Sequence, residues 1–173
     1  LVGLMRDHPA LRLTYLTDPR LYRLDAGEAH IAIRAGARPT EPDYVVQHFQ
    51  SGMHHLYASP EYLARYGEVT GVTGHRFALN GPEGRNAPYM RWLSERLAPE
   101  NIVLIASESS AREEVIRSGL AVGVLPETRT EGLVKIDWPG GWPTDLWLVT
   151  HMDLHRTPKV QAALAALRQD DIG

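Results

Sequence analysis

The chain has 173 residues, of which 43% are hydrophobic and 23% charged, with no cysteine and a formal net charge of −3. This composition is typical of a globular domain, and the lack of cysteine excludes disulfides and thiolate metal sites and suits a reducing cytoplasm. Lysine and arginine are scattered among acids, which argues against DNA binding by this segment. No apolar run reaches the roughly 18 residues of a membrane span.

The first predicted elements form a strand–helix–strand unit. Leu11–Leu16 alternates as a strand does. Asp18 then offers a helix N-cap, Pro19 suits the first helical position, and Gly27 can end the helix. The next strand begins at Ile31–Ile33. Two strands joined through a helix by short loops predict a parallel βαβ unit.

The middle of the chain mixes strands and helices. Tyr44–Tyr57 contains strand material, and Ser59-Pro60 caps and begins a helix that Gly67 ends. After a glycine-rich joint at Gly71–Gly74, Phe77–Leu79 reads as a short strand. A further helix is predicted over Pro88–Leu97.

A second βαβ unit follows. Asn101–Ala106 is an apolar strand of the buried type, and Leu120–Leu125 is another. Between them, Ser110 and Glu113 have the spacing of a capping box at a helix start, and Gly119 can end that helix.

The last predicted elements are a strand over Leu146–Thr150 and a helix that opens at Thr157-Pro158. Alternating strands and helices indicate an α/β fold. Two separate βαβ units, joined near Gly71–Gly74 and again near Trp142–Asp145, predict two lobes with a cleft between them. We expect lobe I to cover about 1–71 and 146–173, and lobe II about 72–145.

Four segments, in the same order and spacing, resemble the LysR family of bacterial transcription regulators. They are LRLTYLTDPRLYRLDAGEAHIAIRAG (Leu11–Gly36), LYASPEYLARYG (Leu56–Gly67), VIRSGLAVGVLP (Val115–Pro126) and LWLVTHMDLHRTPKVQAALAAL (Leu146–Leu167). Together they extend over nearly the whole chain. His30 stands where the family usually has aspartate, and Ala121 where glycine is common.

The resemblance implies an effector-binding domain with a two-lobed fold like that of type 2 periplasmic binding proteins. A small metabolite is then expected in the cleft, where it shifts the relative setting of the lobes. The resemblance also implies a homodimer or tetramer that binds DNA through an N-terminal winged helix-turn-helix absent from this chain. The helices at Pro19–Ala26 and Arg112–Arg117 are candidate interface elements. Leu1–Arg6 resembles the end of the helix that follows the domain's first strand, so that strand is expected to be missing.

Ligands of open α/β sheets lie beyond the carboxyl ends of the parallel strands. The candidate effector-binding residues at those ends are Thr17, Arg34, Asn80, Ser107, Ser109 and Leu125. Thr17 is chosen because the resemblance places an effector-contacting hydroxyl there.

Arg34 and Asn80 each have a structural alternative, and Ser110 is left out of the candidates. Arg34 can pair with a neighbouring group, Asn80 precedes a glycine as turn residues do, and Ser110 is expected to cap its helix rather than contact an effector. Glu108 would disfavour an acidic effector unless it faces away, or it would select an amine.

No cofactor or metal site is predicted. His54 and His55 point to opposite faces of a strand, and the set His151, Asp153 and His155 is interpreted as a surface turn. No G-x-S-x-G or G-x-G-x-x-G motif supports an enzyme. The main alternative function is a periplasmic solute-binding protein of a transport system.

Overall fold

A computed structural model of the chain describes residues 1–17 and 20–169. Its helices are α1 (Val2–Asp7), α2 (Pro60–Tyr66), α3 (Pro88–Ser94), α4 (Ser109–Arg117), α5 (Met152–His155) and α6 (Pro158–Gln169). Its strands are β1 (Ala32–Ala35), β2 (Tyr44–Ala58), β3 (Phe77–Asn80), β4 (Ile102–Ala106), β5 (Val122–Pro126), β6 (Val134–Ile136) and β7 (Trp142–His151).

The chain divides into two compact units. Of the described residues, unit one contains 1–17, 21–51 and 145–169, and unit two contains 20 and 52–144. The lobe boundary near residue 71 stays a prediction, while residues 52–71 group with unit two in this division. The reason is that β2 is a single long strand whose second half pairs with β5 and β6.

Unit one is built around β1 and β7, which pair antiparallel from Ala32 opposite Val149 to Ala35 opposite Leu146. Its core joins Leu148 of β7 to Val160 and Leu164 of α6, each 1% exposed. The predicted last helix is confirmed, and its apolar residues at i, i+4 spacing are the ones that cover the sheet.

The first predicted βαβ unit is wrong for the described residues. Leu11–Thr17 forms no strand, and residues 24–27 form a turn rather than a helix. The predicted capping residues Asp18 and Pro19 lie outside the described residues. Among the described residues no strand pairs with Leu11–Leu16, and alternation alone does not stabilise an extended segment that lacks a hydrogen-bonded neighbour.

Unit two contains a mixed sheet in which β3 lies between β4 and β5 and runs parallel to both. The strands β4 and β5 are joined through α4, so the second predicted βαβ unit is confirmed, with β3 inserted between its two strands. On the far side of β5, the second half of β2 pairs antiparallel with β5 and with β6.

The core of unit two is closed by α2 and α4. The hydroxyl of Ser59 accepts a hydrogen bond from the Tyr62 amide at 3.2 Å, which confirms the predicted N-cap of α2. Tyr62 is fully buried among the apolar residues of this core. On the α4 side, Gly123 of β5 lets Ile116 approach the sheet, because a Cβ at Gly123 would lie 2.4 Å from the Ile116 Cδ1.

Candidate functional site

Polar side chains meet at the carboxyl ends of β3 and β4 in unit two. The hydroxyl of Ser107, just after β4, donates to Glu83 Oε2 at 2.9 Å. Hydrogen bonds from its own backbone amide and from Ser107 lower the pKa of the Glu83 carboxyl. Gly81 makes this contact possible, since a Cβ there would lie 2.4 Å from Ser107 Oγ. Ser107 therefore lies at the predicted edge, the carboxyl end of β4, where its hydroxyl is bonded to Glu83.

Asn80, the last residue of β3, is fixed by a neighbouring phenol. Its Nδ2 donates to Tyr89 Oη at 3.1 Å, and its side chain fills the space that a Cβ at Gly84 would occupy. Tyr89 also contacts Trp142 edge-on, with ring centroids 6.1 Å apart. Asn80 therefore belongs to a packed polar and aromatic cluster rather than to a free turn.

The helix α4 begins next to Ser107. Its N-cap is Glu108, and no side chain caps it, so the predicted capping box of Ser110 and Glu113 is wrong. Glu113 instead forms an ion pair with Arg117 at 3.0 Å, one turn later in the helix. Ser109 is the first helical residue and is exposed. Uncapped amides and the helix dipole at such an end favour an anion.

Arg112 is a residue of this region that the sequence analysis did not select. It is only 8% exposed, and its Nη1 donates to the carbonyl oxygen of Ala106, the last residue of β4, at 3.2 Å. Helical spacing contained the signal, because Arg112 precedes the inward-facing Val115 and Ile116 by three and four positions.

His54 lies on β2 in the same unit. Its imidazole stacks on the Tyr89 ring, with centroids 5.4 Å apart and planes 21° apart. Burial lowers the pKa of His54, and the charges of His55 and Arg112 lower it further. Its Nδ1 is buried and has no hydrogen-bond partner among the described residues. His55 has a different environment, since its Nε2 contacts Glu127 Oε1 at 3.0 Å.

The other predicted site residues have different surroundings. Thr17 is exposed at the end of an irregular segment of unit one. Arg34, also in unit one, bonds Glu41 Oε1 at 2.9 Å and lies over the ring of Tyr44. Leu125 is 1% exposed in the unit two core, so its side chain is not accessible to a ligand.

The remaining histidines and tryptophans have structural surroundings. Within the part of the chain that the structure describes, no three His, Asp or Glu residues form a group that could hold a metal ion. Trp138 and Trp142 pack against Trp92, with centroids 5.1 and 5.7 Å away, so both anchor their loop to the core of unit two. No helix within the described residues has the length and apolar character needed to cross a membrane.

Known structures share this fold. The CrgA regulatory domain, a LysR-type transcriptional regulator from Neisseria meningitidis, matches with a TM-score of 0.80 and 18% identity over 98% of this chain and 88% of that one. The effector domain of the transcriptional regulator AmpR of Pseudomonas aeruginosa matches with a TM-score of 0.74 and 17% identity over 99% and 86%.

A full-length relative shows how much longer such proteins are. The Vibrio cholerae virulence activator AphB, a member of the LTTR protein family, matches with a TM-score of 0.74 and 16% identity over 98% of this chain. This chain spans only 61% of the AphB chain. No curated protein sequence matches this chain.

The family comparison covers almost the whole sequence. The LysR substrate binding domain matches residues 1–171, which agrees with the four resembling segments and with the fold of both units. The chain therefore belongs to the LysR substrate-binding domain family.

Proposed function

We propose that this chain is the effector-sensing domain of a LysR-type transcription regulator. The observation that carries the proposal is the family match over residues 1–171. The net charge of −3 and the scattered basic residues agree with a domain that leaves DNA binding to another part of a longer protein. The proposal assigns the chain no catalytic role and places it in the cytoplasm.

The effector is proposed to bind at the polar edge of unit two. Asn80, Ser107 and Ser109 lie where the parallel strands β3 and β4 end, which is the usual location of ligands in such sheets. A regulator is favoured over a solute-binding protein of transport because the neighbours with this fold are described as regulators. Thr17 and Arg34 stay predicted contacts, each to be tested by its own substitution.

A thermal-shift screen against metabolites tests this function. A compound that binds only the folded state raises its stability by RT ln(1 + [L]/Kd), about 2.7 kcal/mol at a hundredfold excess over Kd. We expect Ser107→Ala to weaken the response by about 0.5–1.5 kcal/mol, the usual net contribution of one hydrogen bond. Ser118→Ala is the matched control, because the Ser118 hydroxyl bonds only the Val115 carbonyl of its own helix among the described residues.

Three outcomes separate the possibilities. A stabilising metabolite that Ser107→Ala weakens and Ser118→Ala does not supports both the function and the location. A metabolite that binds both variants equally moves the site elsewhere on the domain. A screen that finds no stabilising compound contradicts the sensing function.

Oligomerisation is also part of the proposal. The predicted interface helix over Pro19–Ala26 is not formed in the described residues. The other candidate helix, Arg112–Arg117, forms as part of α4, but Arg112 itself is buried within unit two. The exposed face of α4 that includes Arg117 remains a candidate. Light scattering of the purified chain is expected to give the mass of a dimer or tetramer; a monomer at all concentrations would contradict this part.

A further inference from the structure

Arg112 is a buried cation without an anionic partner among the described residues. It is 8% exposed, and its one hydrogen bond to another described residue goes to the carbonyl of Ala106. No carboxylate of the described residues forms an ion pair with it, and burial accordingly lowers the pKa of its guanidinium. Arginine is almost never buried to this extent unless it is paired.

The unpaired state is energetically unfavourable. Moving a guanidinium from water into a protein interior is unfavourable, and an opposite charge and further hydrogen bonds normally offset that cost. A guanidinium has five N–H donors in a planar fork, and the Ala106 carbonyl uses one of them. The remaining donors match the two oxygens of a carboxylate.

A second unpaired group lies nearby. His54 is close enough to Arg112 for that charge to lower its pKa, and its buried Nδ1 lacks a hydrogen-bond partner among the described residues. Tyr89 links the two, because it stacks on His54 and interacts electrostatically with Arg112. A buried arginine that has no carboxylate partner among the described residues, and the unpartnered His54 Nδ1, both interact with this one phenol ring; together they indicate a place for a ligand that brings oxygen acceptors.

The charges around this place differ in their exposure. The uncapped first turn of α4, which contains Arg112, favours an anion. Glu83 and Glu108 oppose one, but both are exposed and their fields are screened by water, whereas Arg112 is buried. Glu83 is also held by Ser107. The buried charge therefore decides which ligands this region favours.

We propose that Arg112, with His54 and the first turn of α4, binds a carboxylate group of the effector, so that the effector of this domain is a small organic acid. The inference rests on the proposed sensing function and adds the chemical class of the ligand. The sequence left open whether Glu108 faces away from an acidic effector or selects an amine. This proposal favours the acidic effector.

Matched acids and amides test the proposal. Acetate, succinate, benzoate and phthalate, each paired with its amide, and the amines putrescine and benzylamine are titrated into the chain by calorimetry. We expect at least one acid to bind, its amide to bind more weakly, and Arg112→Gln to weaken the acid about tenfold or more, as for other buried charge pairs that lose one partner. Arg91→Gln is the matched control, since it removes the same charge from an exposed position of α3 in the same unit.

Arg112→Lys guards against a folding defect in Arg112→Gln. Lysine keeps the charge but cannot make the bidentate contact, so the acid is expected to bind it with an affinity between those of the wild type and Arg112→Gln. Circular dichroism confirms that each variant is folded before titration. If Arg112→Gln does not fold, the wild type, Arg112→Lys and Arg91→Gln still decide the outcome.

The failures are distinguishable. Acids that bind Arg112→Gln or Arg112→Lys as tightly as the wild type would overturn the role of Arg112. Amides or amines that bind better than acids would overturn the ligand class while leaving the sensing function intact. If none of the acids binds, the ligand class is overturned, while the thermal-shift screen against metabolites decides the sensing function separately.

Discussion

The imidazole of His54 and the phenol of Tyr89 stack with ring centroids 5.4 Å apart, and the same phenol accepts a hydrogen bond from Asn80 at 3.1 Å. This arrangement joins the middle strand β2 to the end of β3 through one side chain. It also buries the His54 Nδ1 without a partner among the described residues. The packing that holds this edge of unit two therefore leaves a polar atom unsatisfied within it.

His54 gives the domain a predicted dependence of stability on pH. Burial lowers its pKa from 6.5 in the folded state, so below that value the unfolded chain binds a proton more readily than the folded chain. The folded state is therefore at its most stable, as far as His54 is concerned, above pH 6.5. The free energy of unfolding decreases as the pH falls from there toward the folded-state pKa of His54. The slope from this one proton cannot exceed about 1.4 kcal/mol per pH unit.

Urea unfolding at several pH values checks this prediction. We expect His54→Asn to reduce the loss of stability between neutral and mildly acidic pH. His8→Asn, at an exposed histidine of unit one, should leave the wild-type profile in place. An unchanged profile in His54→Asn would show that other groups determine the pH dependence.

Tyr62 is predicted to stabilise unit two through its hydroxyl as well as its ring. Its Oη accepts from the Arg76 amide at 2.9 Å and contacts His75 Nδ1 at 3.2 Å. Tyr62→Phe keeps the ring but leaves both groups without this partner, which should destabilise the fold by about 1–3 kcal/mol.

Chemical denaturation measures this loss. Tyr66→Phe is the control, because the Tyr66 ring packs against Tyr62 with centroids 4.6 Å apart but its hydroxyl makes no hydrogen bond to another described residue. Equal stabilities for the two variants would contradict the role of the Tyr62 hydroxyl.

Gly123 is predicted to be required for close packing of α4 on the sheet. A Cβ at this position would lie 2.4 Å from Ile116 Cδ1 and 3.2 Å from the carbonyl oxygen of Ala78, so Gly123→Ala forces the helix or the strand to shift. We expect a loss of about 1–3 kcal/mol in the free energy of unfolding, as for other overpacked cores.

Gly52→Ala is the control for a strand glycine. No described atom lies within 4 Å of a Cβ at Gly52, so its effect should stay within about 0.5 kcal/mol. A Gly123→Ala variant as stable as Gly52→Ala would mean that Ile116 repacks without strain.

The parts of the fold that sequence predicts well are those with strong local signals. Ser59-Pro60 and Gly67 mark the ends of α2, and the apolar spacing of α6 defines its buried face. Leu11–Leu16 shows the opposite case, because an alternating pattern forms a strand only when a neighbour pairs with it. No local sequence signal predicted the unit boundary within β2, because a single continuous strand contributes residues to both units.

The candidate site was predictable in part for a similar reason. Asn80 ends one recognisable strand and Ser107 follows another. Ligands of open α/β sheets commonly bind at the carboxyl ends of such parallel strands. Arg112 was missed because a charged residue in a polar helix start is normally solvated, and only its phase relative to Ile116 indicated burial. Glu83 was missed because its approach to Ser107 depends on the turn at Gly81.

An NMR titration that resolves individual backbone amides tests the central claim, that this domain binds a small-molecule effector at the polar edge of unit two. A stabilising metabolite from the thermal-shift screen, or a pooled set of organic acids if single compounds respond weakly, is added to the isotope-labelled chain. We predict saturable shifts of the amides of Asn80, Ser107 and Arg112. Shifts confined to other residues, or no saturable shift at all, would contradict the account.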